Sequence, residues 1–129
     1  MKLLLDTHVM FWWLRDSPRL GQRVKALIAS PQAELLVSFA SFWELTVKAR
    51  IGKMPEFGSA VMREAQAGGM TILEMSARHL EVLEGIEPRA DHKDPFDLLI
   101  LAQSIAEAAT LVTRDAKLLT YDVPTIRVG

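Results

Sequence analysis

Hydrophobic and polar positions along the chain switch repeatedly between a short, continuous apolar pattern and a helical one. Lys2 to Leu5 is an apolar run closed by Asp6, and "THVMFWWLRD" continues with helical spacing, so the chain opens as strand then helix. Ser17-Pro18 breaks that helix, after which "LGQRVKALIAS" repeats Leu20, Val24, Leu27 and Ile28 at helical intervals until Pro31. "ELLVS" has the character of a short buried strand, and "FASFWELTVKARIG" that of a helix with Gly52 as its C-terminal cap. Beyond Pro55, "EFGSAVMREAQAGG" predicts a helix closed by Gly68-Gly69, "MTILEM" a strand, and "SARHLEVLEGI" a helix with Ser76 as N-cap. Asp94 begins a helix reaching about Ala108; "TLVTRD" is a further strand, Ala116 to Tyr121 a short helical piece, and "PTIRVG" a last strand.

Strands alternating with helices over the whole chain imply βα crossover units. The predicted fold class is therefore α/β, a three-layer α/β/α sandwich around a central, mostly parallel sheet. With no linker, repeat or low-complexity stretch in its 129 residues, the chain reads as one domain spanning 1–129.

Composition changes this picture in three ways. The apolar runs fall far short of the roughly 20 residues that span a bilayer, and "MKLLLD" meets an acid too early for a signal peptide, so a cytoplasmic protein with no membrane partner is expected. The absence of cysteine removes thiolate chemistry and Cys-ligated zinc, leaving oxygen donors or the three histidines for any metal. A net charge of −1 gives no global footprint for nucleic acid, so such binding would rest on a local patch.

In open parallel sheets, sites form at the carboxyl ends of the strands near a topological switch point. Asp6 closes the first strand and Asp115 the fourth, while Glu44 and Asp97 lie in the first turns of helices that start on that edge. Each acid also has a structural reading. Asp94 is a natural N-cap with Pro95 at the first helical position, and Asp97 suits the helix dipole and could bond back as in a capping box. Glu44 stands four residues before Lys48, the favourable direction for a helical ion pair. Asp6 and Asp115 could be ordinary turn acids. Taken together, carboxylates about 5 Å apart repel by roughly 3 kcal/mol per pair at an effective dielectric near 20, so the cluster calls for a cation or protons. Without cysteine, the fitting cation is Mg²⁺ or Mn²⁺, and phosphodiester hydrolysis is the natural reaction.

The segments "LLLDTHVMFWWL", "VSFASFWELTVKARIGKM", "HKDPFDLLILAQS" and "LVTRDAKLLTYDV" together resemble the PIN domains, and within them the VapC-type ribonuclease toxins of type II toxin-antitoxin pairs. The resemblance implies a PIN-like sandwich with Asp6 and Asp97 as principal metal-binding aspartates, Glu44 as the helical glutamate and Asp115 as the acid after the last conserved strand. It implies Mg²⁺- or Mn²⁺-dependent RNA cleavage leaving a 5′-phosphate and a 3′-hydroxyl, a homodimer, and inhibition by a cognate VapB-type antitoxin. Asp94 recurs in the D-P-F-D pattern but ranks below the other four acids. Leu98 stands where many relatives carry arginine.

In this reading Asp6 and Asp97 bind a first metal, Glu44 serves a second metal or orients water, and Asp115 completes the outer part. Thr7 and Thr113 are candidates to orient those carboxylates, with ordinary turn and strand chemistry as the alternative. Lys48, Arg50, Lys53, Arg89, His92, Lys93, Arg114 and Lys117 flank the rim in sequence and could meet RNA phosphates, or could simply be a solvated charged surface. Trp12 and Trp13 could stack bases, but their adjacency on an apolar helix points rather to core or dimer packing. His8 and His79 supply no metal-spaced pair. Two other functions compete: a non-catalytic PIN-like module that binds RNA or protein, and an aspartyl-phosphate phosphatase, whose D-x-D opening Asp6-Thr7-His8 lacks.

Overall fold

The structure is a computed structural model and describes residues 1–128. Its strands are β1 (Lys2–Leu5), β2 (Glu34–Ser38), β3 (Thr71–Leu73), β4 (Thr110–Thr113) and β5 (Thr125–Arg127). The helices are α1 (Thr7–Leu14), α2 (Gln22–Ile28), α3 (Phe39–Arg50), α4 (Gly58–Ala67), α5 (Ala77–Glu84) and α6 (Pro95–Ala106), with 3₁₀ turns at Pro18–Leu20 and Leu118–Thr120. The strands form one sheet in the order β3-β2-β1-β4-β5, and every pairing is parallel. The sheet is thus parallel throughout, a stricter arrangement than the mostly parallel one expected.

Burial on both faces explains the continuous apolar strands. Leu3, Leu5, Val37 and Val112 point into a core shared with Val9 and Met10 of α1, Val24 and Ile28 of α2, Phe42 and Leu45 of α3, and Val61 and Ala65 of α4. Their strand neighbours Leu4, Leu36 and Leu111 point the other way, against Ile100 and Leu101 of α6 and Leu118. This period-two division produces the three layers.

The chain runs outward from β1 through β2 to β3, then crosses back beneath the sheet through α5 and α6 to enter β4 on the other side of β1. The switch point therefore lies between β1 and β4, and their carboxyl ends lead into Asp6 and Asp115.

Several element ends differ from expectation for local reasons. Leu20 belongs to the 3₁₀ turn, and Gly21 at φ +79° separates that turn from α2. Ile51 caps α3, and Gly52, at φ +76°, follows in the left-handed position while Lys53 N donates to Lys48 O at 2.9 Å. β4 ends at Thr113, two residues before Asp115, and the helical piece expected at 116–121 is the 3₁₀ turn Leu118–Thr120.

Candidate active site

Asp6, Glu44, Asp94, Asp97 and Asp115 line one cavity of about 500 Å³ together with Thr7, His8, Trp12, Arg19, Lys48 and Arg114. The four acids expected at the rim are thus brought to one place, together with Asp94. Each carboxylate is held by its own element, and those anchors define the geometry.

Asp6 is the N-cap of α1: its Oδ1 accepts from Val9 N at 2.9 Å, so capping and a site position coincide in one side chain. Its other oxygen accepts a hydrogen bond from the Thr113 hydroxyl, which itself accepts from Asp115 N at 3.0 Å. Thr113 thereby ties the ends of β1 and β4 together. Burial pushes the Asp6 carboxyl above its usual pKa, opposed by the Thr113 and Val9 hydrogen bonds and by His8, and reinforced by the charge of Asp115.

Glu44 is buried one turn into α3. Its Oε1 accepts from the Thr7 hydroxyl at 2.7 Å, with Ser41 Oγ lying 2.9 Å from the same hydroxyl, and its Oε2 meets Lys48 Nζ at 2.7 Å. The expected i,i+4 ion pair is present. Ser41 was not anticipated; it faces Thr7 because both are buried where α1 and α3 leave adjacent strands.

Asp94 caps α6, its Oδ1 accepting from Phe96 N at 2.9 Å and Asp97 N at 3.1 Å. Asp97 does not bond back to that cap as a capping box would. Its Oδ2 instead lies 3.3 Å from His92 Nε2, and His92 Nδ1 lies 2.9 Å from the Tyr121 hydroxyl. With the tyrosine donating to Nδ1, the imidazole presents Nε2–H to the carboxylate. His92 is only 3% exposed, so the phosphate-contact role considered for it gives way to holding Asp97. Burial first, then the charges of Asp94 and Asp115, push the Asp97 carboxyl up to about 6 despite the histidine hydrogen bond. Asp115 Oδ1 accepts from Lys117 N at 2.8 Å and Leu118 N at 3.2 Å.

Among the described residues, no three Asp, Glu or His side chains close on a single point as a finished metal cage. Their anchors spread them around the cavity wall instead. Asp97 Oδ1 and Asp115 Oδ2 accept no hydrogen bond among the described residues, which leaves oxygen donors facing the cavity. An all-oxygen donor set of this kind fits a hard divalent cation that keeps several waters.

Of the cations considered for RNA, Lys48 and Arg114 line the cavity, Lys48 already engaged with Glu44. Arg89 is committed to Asp91 and to the Tyr121 ring. Arg19, not anticipated, lines the cavity from the 3₁₀ turn after α1. Trp13 packs against the core as expected, whereas Trp12 packs there and also lines the cavity. His79 is buried between Ser76 N and Glu107, away from the acids.

Fold and site together define an all-parallel α/β sandwich with an acidic cavity at its switch point. Within that class, the chain belongs to the PIN domain family, whose model matches residues 3–124. PIN domains are nucleases, hydrolases that generally use divalent metals. Among solved structures, the chain is similar to VapBC2 from Rickettsia felis bound to a DNA fragment from its promoter, with TM-score 0.76, 20% identity and 100% of each chain covered. It is also similar to DNA-bound VapBC from Salmonella typhimurium, at TM-score 0.71, 18% identity and 98% of each chain. The PIN domain endonuclease Utp24 gives TM-score 0.58 and 15% identity over 99% of this chain and 85% of that one. At these identities the likeness is one of fold. A comparison with curated proteins finds no significant match. Among the described residues, no helix is long and apolar enough to cross a membrane.

Proposed function

We propose that the chain is a VapC-type PIN toxin: an endoribonuclease that hydrolyses RNA phosphodiester bonds with Mg²⁺ or Mn²⁺ at Asp6, Glu44, Asp97 and Asp115, and is inhibited by a VapB-type antitoxin. The observation that carries this reading is the gathering of four carboxylates around one cavity at the switch point of a PIN fold.

Asp6 and Asp97 would hold a first ion, with Glu44 at a second ion or an ordered water and Asp115 on the outer side. Held by these residues, a hard cation would supply Lewis-acid chemistry, activating water and neutralising charge that develops on the phosphoryl group. The chain's own contribution is orientation. Thr113 fixes Asp6, Thr7 fixes Glu44 and His92 fixes Asp97, so each carboxylate meets the cavity in one rotamer. Burial raises the pKa of both Asp6 and Asp97, so positive charge arriving beside them would favour their ionised forms.

Support for an antitoxin comes from the similar structures that are VapBC complexes. A homodimer is supported by α3, where Phe39, Trp43, Val47 and Ile51 form an exposed apolar stripe at four-residue spacing. The test is metal titration against a panel of structured RNAs with end-group analysis. Products bearing 5′-phosphate and 3′-hydroxyl ends, formed with Mg²⁺ or Mn²⁺ and suppressed by the co-expressed antitoxin, support the reading. Tight RNA binding without products would replace it with the non-catalytic module.

A further inference from the structure

The segment that follows β4 carries an acid of the site at one end and a tyrosine at the other. Leu118 N donates to Asp115 Oδ1 and Leu119 N to Asp115 O, each at 3.2 Å, and Tyr121 N donates to Leu118 O at 3.3 Å. Residues 115–121 are thus one hydrogen-bonded turn. Tyr121 leaves that turn to meet the residues just ahead of α6: the Arg89 guanidinium lies 4.4 Å from its ring centre, and the His92 ring 5.5 Å away at a 52° tilt. Arg89 is itself fixed, forking onto Asp91 at 3.1 and 2.8 Å and donating to Thr120 Oγ1 at 2.7 Å. A backbone bridge joins Arg89 to His92.

We propose that Tyr121 is a positioning residue for metal binding, acting through the Nε2–H tautomer of His92 to hold Asp97 in register with Asp115; the assignment rests on the reading of these two acids as metal ligands. The protons dictate the relay. An ionised Asp97 can only accept, so His92 Nε2, which faces it, carries a proton. A neutral ring then has its lone pair on Nδ1, and among the described residues the Tyr121 hydroxyl, 2.9 Å away, is the side chain placed to donate to it. Removing that hydroxyl leaves a lone pair unpaired on a buried ring. Moving the proton to Nδ1 is no remedy, because the Nε2 lone pair would then face the carboxylate and two acceptors repel. Either change frees Asp97 from the rotamer that leaves Oδ1 without a hydrogen bond and open to the cavity. Tyr121 does not line that cavity, so it acts on the acids from behind.

Tyr121→Phe tests this, because it keeps the ring that Arg89 contacts and removes one hydroxyl. Long-range nitrogen–proton NMR spectra are recorded in EDTA at mildly alkaline pH, with the His92 signals recognised by their loss in His92→Leu. The wild type is expected to show Nε2 protonated and Nδ1 bare, and Tyr121→Phe a mixture of tautomers. Calorimetry should show Mn²⁺ affinity falling about tenfold or more in Tyr121→Phe, with the variant folded by circular dichroism. Because the relay runs through His92, Tyr121→Phe should weaken Mn²⁺ binding no further in a His92→Leu background. The proposal is overturned if wild-type His92 carries its proton on Nδ1, if Tyr121→Phe leaves either the tautomer or the Mn²⁺ affinity unchanged, if the two substitutions weaken binding additively, or if the wild type binds no Mn²⁺. RNA cleavage followed alongside separates this proposal from the nuclease reading. Mn²⁺-dependent cleavage with an unaltered Mn²⁺ requirement in Tyr121→Phe removes the relay and leaves the nuclease standing, whereas the expected spectra and affinities without any cleavage keep the relay and remove the nuclease.

Discussion

Thr113 organises more of the site than any other small residue. Its hydroxyl donates to Asp6 and accepts from Asp115 N, so one oxygen aligns two acids from different strands. Thr113→Val keeps the shape and removes both contacts. The Asp6 carboxyl should then rise further in pKa, and Mn²⁺ affinity at neutral pH should fall roughly 10- to 100-fold, as measured by calorimetry. Asp97 provides a prediction about pH. Its folded-state pKa of about 6 lies above the ordinary aspartate value of 3.8, so between these values the folded chain keeps a proton that the unfolded chain has lost. The resulting stabilisation is complete below about 4 and disappears as pH rises through about 6. Thermal melts in EDTA should therefore show Asp97→Asn flattening a decline in stability over that window, whereas an unchanged profile would count against the shift. The acids themselves were legible in the sequence because each closely follows a strand or lies in the first turns of a helix. The role of His92 was not, since its partners Asp97 and Tyr121 lie 5 and 29 residues further along the chain and only the fold brings the three together.

At the scale of elements, the order of strands and helices was legible almost throughout because apolar periodicity and Gly or Pro punctuation are local. What escaped was the termini, where backbone geometry decides. α6 ends with Ala108 at φ 52°, in the left-handed region that glycine adopts without a Cβ penalty, while Ala109 N donates to Ser104 O at 2.9 Å. Ala108→Gly should therefore raise stability by about 1 kcal/mol in denaturant melts. Gly58 has the opposite character. A Cβ there would lie 1.8 Å from Phe42 O, because the start of α4 is pressed against α3 and its N–H donates to Thr46 Oγ1 at 2.9 Å. Gly58→Ala should cost about 3 kcal/mol, since backbone must separate from backbone, and the same melts would read it.

For the whole molecule, the decisive feature is strand order. With β1 between β2 and β4, the turns bearing Asp6 and Asp115 become neighbours, and α3 and α6 aim Glu44 and Asp97 at the gap. Convergence of the acids followed from the shared sheet edge. The contact of Arg114 with the Trp12 ring did not, because it depends on β1 lying beside β4, which no local pattern encodes. The same scale yields a prediction for assembly. If the exposed α3 stripe is the homodimer face, Trp43→Glu with Val47→Glu should convert a dimer to a monomer in sedimentation velocity, with the fold intact by circular dichroism. The central claim is that these four carboxylates hydrolyse RNA with a divalent cation. It is tested most directly by the rate of RNA cleavage in Mn²⁺, in EDTA, and in Mn²⁺ with Asp6→Asn. Cleavage by the wild type in Mn²⁺, absent in both other conditions while the variant remains folded, is the result predicted. Equal cleavage by Asp6→Asn, or cleavage that continues in EDTA, would contradict it.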